Sequence, residues 1–109
     1  MPVQKAEKLA VRMFRDKLTA RLGGLLDSVL LFGSKARGDD HPDSDIDLLV
    51  ICNTGDWHIA DEVYSIATDI LLECGVALSP KVLSKDDYES MQQNEVAFVQ
   101  NVRREGLAV

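Results

Sequence analysis

The sequence predicts an α/β (α+β) fold, a small mixed sheet with helices packed on it. Three observations lead there. Residues 5 to 22 carry apolar side chains at helical spacing, with charges on the other side. The run Leu26 to Phe32 is short and mostly apolar, as in a buried strand. The remaining segments follow in the order strand, helix, strand, helix, helix, which gives a sheet covered by helices.

Taken in order, Leu9, Met13, Phe14, Leu18 and Leu22 define the first helix, and Gly23-Gly24 ends it. After the strand Leu26–Phe32, Gly33 to Gly38 reads as a turn, and Asp39 to Ser44, polar and containing Pro42, as a loop. A second strand is expected at Asp45–Cys52, with Ile46, Leu48 and Val50 on one face. Asn53-Thr54-Gly55 breaks it. Asp56 then caps a helix to about Glu73, whose inner stripe is Ile59, Val63, Ile66 and Ile70. Gly75 stops that helix. Val76 to Leu83 is a third strand, and Pro80 inside it favours an edge position or a bulge. Ser84 caps the next helix, with Asp86 and Asp87 in its first turn, where the helix dipole favours acids. A final helix is expected over about Asn94 to Glu105, ending at Gly106.

At 109 residues the chain has room for one domain. No apolar run approaches the roughly 20 residues needed to cross a bilayer. The opening Met1-Pro2-Val3-Gln4-Lys5 does not read as a signal peptide, so a cytoplasmic location is expected. Cys52 and Cys74 are far apart among apolar neighbours and read as free thiols. His41 and His58 have no partners at metal-ligand spacing. Acids outnumber bases 18 to 12, for a formal charge of −6. That balance argues against a grip on long DNA or RNA, which needs a basic face. It leaves room for a single nucleotide whose charge is met by metal ions.

The chemistry concentrates between Leu31 and Leu48. A glycine after a buried strand turns the backbone sharply and brings its N–H groups close to an anion. Ser34 adds a hydroxyl donor, and Arg37 adds a forked cation suited to phosphate. Asp45 and Asp47, two apart on a strand, leave on the same face. Two such carboxylates at ~4 Å repel by about 4 kcal/mol at an effective dielectric of ~20. A divalent cation between them reverses the sign, and Mg²⁺ prefers one or two carboxylates plus substrate phosphates and water. A lone Gly-Ser marks only a turn, and Asp39, Asp40 and Asp43 read as solvated surface. A phosphate turn and a carboxylate pair together are what phosphoryl and nucleotidyl transfer require. The two are expected to face each other, Asp45 and Asp47 opposite Gly33-Ser34.

The segment Phe32 to Val50 resembles the signature of the DNA polymerase β-like nucleotidyltransferase superfamily. In motif and length the chain is similar to the minimal nucleotidyltransferase (MNT) domains of bacteria and archaea. The resemblance implies a nucleotidyltransferase fold in which Gly33 and Ser34 hold ATP or another nucleoside triphosphate. It implies that Asp45 and Asp47 ligate the catalytic Mg²⁺ or Mn²⁺ while a nucleoside monophosphate, usually adenylyl, passes to a hydroxyl. Arg37 and Ser44 match the motif in supporting roles. The resemblance also implies a third carboxylate on a later strand, yet Val76 to Leu83 contains no Asp or Glu. Alternation puts Ala77, Ser79 and Lys81 on one face of that strand, and Asp86, Asp87 and Glu89 come after it. A second implied function is therefore carried beside the first. Domains of this type serve as antitoxins that neutralise a helical HEPN-family ribonuclease toxin, by complex formation, by adenylylation, or by both. The apolar segment Leu107-Ala108-Val109 fits either a partner surface or a terminus tucked into its own core.

Overall fold

The computed structural model describes residues 5–33 and 45–109. Helix α1 spans Lys5–Leu22 and buries Ala10, Val11, Phe14, Leu18 and Leu22. Leu9, expected on that stripe, is 54% exposed instead. Five residues before Phe14, it lies about 140° around the helix from it, and Ala10 and Val11 take its place. Gly23, with φ of 53°, begins a single 3₁₀ turn over Gly23–Leu25 that leads into strand β1, Leu26–Phe32.

Strand β2, Ile46–Cys52, runs antiparallel to β1, with Leu31 opposite Leu48 and Phe32 opposite Asp47. Helix α2, Trp57–Cys74, is capped at both ends as its sequence predicts. The Asp56 carboxylate accepts from the His58 N–H at 3.0 Å, and the N–H of left-handed Gly75 donates to the Leu71 carbonyl at 2.9 Å. Strand β3, Leu78–Ser84, returns parallel to β2 at the sheet edge, where Pro80 is tolerated. The Ser84 hydroxyl accepts from the Asp87 N–H at 3.0 Å and starts α3, Lys85–Gln93.

Helix α4 spans Ala97–Glu105 and begins later than the expected Asn94. Asn94 closes α3, and Glu95 adopts φ of 55°, a left-handed conformation that no helix can run through. A short strand β4, Leu107–Ala108, was not expected; it pairs antiparallel with β1. The Val109 N–H donates to the Val29 carbonyl at 3.1 Å, and the Val109 side chain packs against the core. Of the two readings of this segment, the structure has it closing the chain's own sheet, in the order β3-β2-β1-β4.

The sheet separates two apolar clusters. Ile46, Leu48, Val50 and Cys52 meet α1 and α2 on one side, together with Val29 and Leu31. Leu49 and Ile51 meet Val102 on the other, edged by Leu30, Phe32, Leu83, Tyr88 and Phe98. Each fully buried aliphatic side chain contributes about 1.5–3 kcal/mol, so the larger cluster dominates stability. Cys52 is buried, and burial followed by the charge of Asp27 pushes its thiol pKa up. Cys74 is half-buried; its thiol donates to the Met13 sulfur at 3.6 Å. Among the described residues, no helix is long and apolar enough to cross a membrane.

Candidate functional site

Alternation along β2 turns Ile46, Leu48 and Val50 toward α1 and α2, so Asp47 falls on the reverse face with Leu49 and Ile51. Helices α3 and α4 cover that face only over Leu49 and Ile51. Asp47 lies one step beyond the covered part and is half-buried. Asp45 stands one residue before β2 and is exposed.

The neighbours of Asp47 follow from the pairing. Phe32 is opposite it on β1, and Ser79 is beside it on β3. The Ile46 N–H donates to the Ala77 carbonyl at 3.1 Å, which ties the start of β2 to the segment leading into β3. Phe32 is braced by Phe98 of α4, edge to face, with ring centroids 5.4 Å apart at 85°. In the sequence Phe98 is only an apolar residue within the last expected helix. Its place against the wall of this site depends on where α4 packs.

Gly33 ends β1 with φ of 76°, a conformation that L side chains rarely adopt. A Cβ built on it would stand 3.2 Å from Cγ and 3.4 Å from Cβ of Asp47, and closer still to a carboxylate oxygen. Glycine is thus required here twice, for the turn and for the room that the Asp47 carboxylate occupies. Gly33 and Asp47 are brought together; Ser34, Arg37 and Ser44, with the turn and loop they belong to and His41, lie outside the described residues.

Among the described residues there is no group of three or more Asp, Glu, His or Cys able to hold a metal ion. Ser79 takes the place beside Asp47, and Lys81, two residues further along β3 beside Leu49, is exposed. The donors on hand are hard carboxylate oxygens next to a cradle that a Cβ would fill. That set fits Mg²⁺ or Mn²⁺ sharing its coordination with phosphate and water, and does not make an all-protein cage.

Known proteins share this architecture. A crystal structure of a toxin–antitoxin with AMP-PNP superposes with a TM-score of 0.57 at 20% identity, over 96% of this chain and 72% of that one. A Sulfolobus solfataricus structure ascribed to a nucleotidyltransferase gives 0.52 at 18% identity, over 97% of this chain and 86% of that one. The fold is that of the nucleotidyltransferases. The model of the family "Polymerase beta, Nucleotidyltransferase" matches residues 24–109, and the chain belongs to that family. Among its relatives is MJ0604 of Methanocaldococcus jannaschii, to which protein adenylyltransferase activity is ascribed. It is 34% identical over 100 residues, which cover 92% of this chain and 94% of the relative.

Proposed function

We propose that this chain transfers a nucleoside monophosphate, adenylyl from ATP, to a hydroxyl of a partner protein. The observation that carries the reading is Gly33, bent into the left-handed region directly against the Asp47 carboxylate. Such a turn presents backbone N–H groups to a phosphate at the one point where a carboxylate on the next strand faces it. The ascribed activity of MJ0604 supports adenylyl transfer to protein, and the toxin–antitoxin structure supports a protein partner.

In this reading Gly33 and Ser34 seat the triphosphate, while Arg37 and Ser44 support it. Asp45 and Asp47 would hold Mg²⁺ or Mn²⁺, which when bound neutralises charge on the transferring phosphoryl group. An acceptor oxygen forms the new bond to the α-phosphorus, the bond to the bridging oxygen breaks, and pyrophosphate leaves with the electron pair. The acceptor's proton needs a base, and β3 with the residue before it offers only Ala77, Ser79 and Lys81 toward this face. A general base contributes about 10²- to 10⁴-fold, so the isolated chain is slow unless the partner supplies that group.

The Ser79 position favours a second reading, in which the chain is an antitoxin that neutralises a HEPN-family ribonuclease toxin by complex formation, with little or no transfer. Labelled ATP, Mg²⁺ and candidate partner separate the two, with wild type compared to Ser79→Asp and Ala77→Asp. Weak labelling by wild type and a rise in either variant support a transferase lacking its base. Rapid labelling by wild type alone shows that the base is dispensable. Nucleotide binding is tested by melting: a triphosphate with Mg²⁺ at 100 times its dissociation constant adds about 2.7 kcal/mol. The Asp45→Asn, Asp47→Asn double variant should lose that shift, even if relief of repulsion stabilises it without ligand. Equal ligand shifts in both proteins would refute the site.

A further inference from the structure

Helix α2 is apolar on two sides. Ile59, Val63, Ile66, Ala67 and Ile70 turn inward and are buried. On the opposite side Trp57, Tyr64 and Leu71 recur at seven-residue intervals with Leu72 beside them, and they are 67%, 49%, 47% and 79% exposed. At about 100° per residue the first three fall within about 40° of one another, a stripe roughly 22 Å long. A surface helix of a monomer needs one apolar stripe. A second, carrying Trp57 and Tyr64, has the aromatic enrichment of an interface centre.

The charge that α2 itself brings to the stripe is of one sign. No lysine or arginine occurs between Arg37 and Lys81. Asp56, Asp61 and Asp69 border the exposed face, whereas Glu62 and Glu73 turn toward α1 and pair with Arg21 and Lys17. Trp57 is positioned as well as exposed. Its ring stacks on His58 at 3.7 Å between centroids, and Asp56 holds His58 at 2.9 Å.

We propose that the outer face of α2 is the docking surface for a partner protein that presents a basic patch with apolar side chains at its centre. This rests on the reading above that the chain works with a protein partner, and it names the chemistry of that partner. A second copy of the chain is the wrong occupant, because a twofold α2–α2 contact would set these aspartates against each other.

Trp57 is the chain's single tryptophan, so its emission reports on this face directly. The full chain is titrated with two synthetic amphipathic helices of the length of α2, one of leucine and lysine, the other of leucine and glutamate. The lysine peptide should give a saturable blue shift and the glutamate peptide none. Tyr64→Ser with Leu72→Ser keeps every charge and should weaken binding about tenfold or more. Asp61→Lys with Asp69→Lys should weaken it as well. If the serine double variant melts lower than wild type, Leu72→Ser alone, at the most exposed position, gives the same reading. Undiminished binding by the serine variant, or equal shifts with both peptides, overturns the proposal. So does a blue shift that grows with protein concentration alone, which would mean self-association. Nucleotide-dependent melting of the serine variant should match wild type, so that failure of the docking face and failure of the transferase reading are seen separately.

Discussion

Beneath α1 and α2, the β2 residues Ile46, Leu48, Val50 and Cys52 are all fully buried, and helix side chains seal the whole width of the strand. On the reverse of the same strand only Leu49 and Ile51 are sealed, and the row ends in Asp47 at the edge of solvent. Seven residues of one strand therefore serve two purposes. The closed face supplies stability, and the half-closed face holds a carboxylate against the left-handed Gly33 without leaving a charge in the core. A fully covered second face would have imposed the cost of burying Asp47.

Of the two faces, the closed one is most sensitive at Leu48. Leu48→Ala should cost about 2–5 kcal/mol in urea unfolding, toward the upper end because both helices hold the cavity open. Leu49→Ala should fall toward the lower end, since its half-buried neighbours Phe32, Tyr88 and Phe98 can settle into the space. If Leu49→Ala is the more damaging of the two, the roles assigned to the faces are reversed. Gly33→Ala should cost less, about 1–3 kcal/mol for the strained backbone, yet remove the nucleotide-dependent rise in melting. Retention of that rise would mean that the contact between residue 33 and Asp47 has no part in binding.

The smallest effect belongs to the cap of α2. Hydrogen bonds from the His58 backbone, then from its side chain, lower the Asp56 pKa below 3.8. A carboxylate whose pKa is depressed by folding stabilises above its unfolded value and loses that contribution as pH falls. Asp56→Ala should therefore melt slightly below wild type at neutral pH, and the gap should close as pH drops below 3.8. Asp56→Asn keeps a side-chain oxygen and should melt near wild type, without that pH dependence. A gap unchanged in acid would show that the ionised carboxylate is not what caps the helix.

Elements with local causes were legible in the sequence: the apolar run of β1, and the caps Asp56, Gly75 and Ser84. What was not legible depends on distant partners. Strand β4 is two residues long and exists only because β1 has an open edge. Leu9 shares the spacing of Met13, but its angle of about 140° from Phe14 takes it off the buried side. The start of α4 is unmarked in the sequence, since nothing in Asn94-Glu95-Val96 announces the left-handed Glu95. In α2 the helical spacing marks the inner stripe, while nothing in the sequence distinguishes the outer apolar residues from core ones. At the site, a glycine after a strand was visible, but its dependence on the Asp47 side chain is a fact of tertiary structure.

Strand β1 sits between β2 and β4, one partner close behind it in sequence and the other most of the chain away. During synthesis, β1 can pair with β2 soon after both emerge, whereas its other edge stays bare until residues 107 and 108 have been made. Non-local pairing of this kind slows folding, and a bare edge is a template for strands of other chains. The interval between those two events is when a nascent chain is most exposed to mispairing. Its length is set by translation speed as much as by the fold.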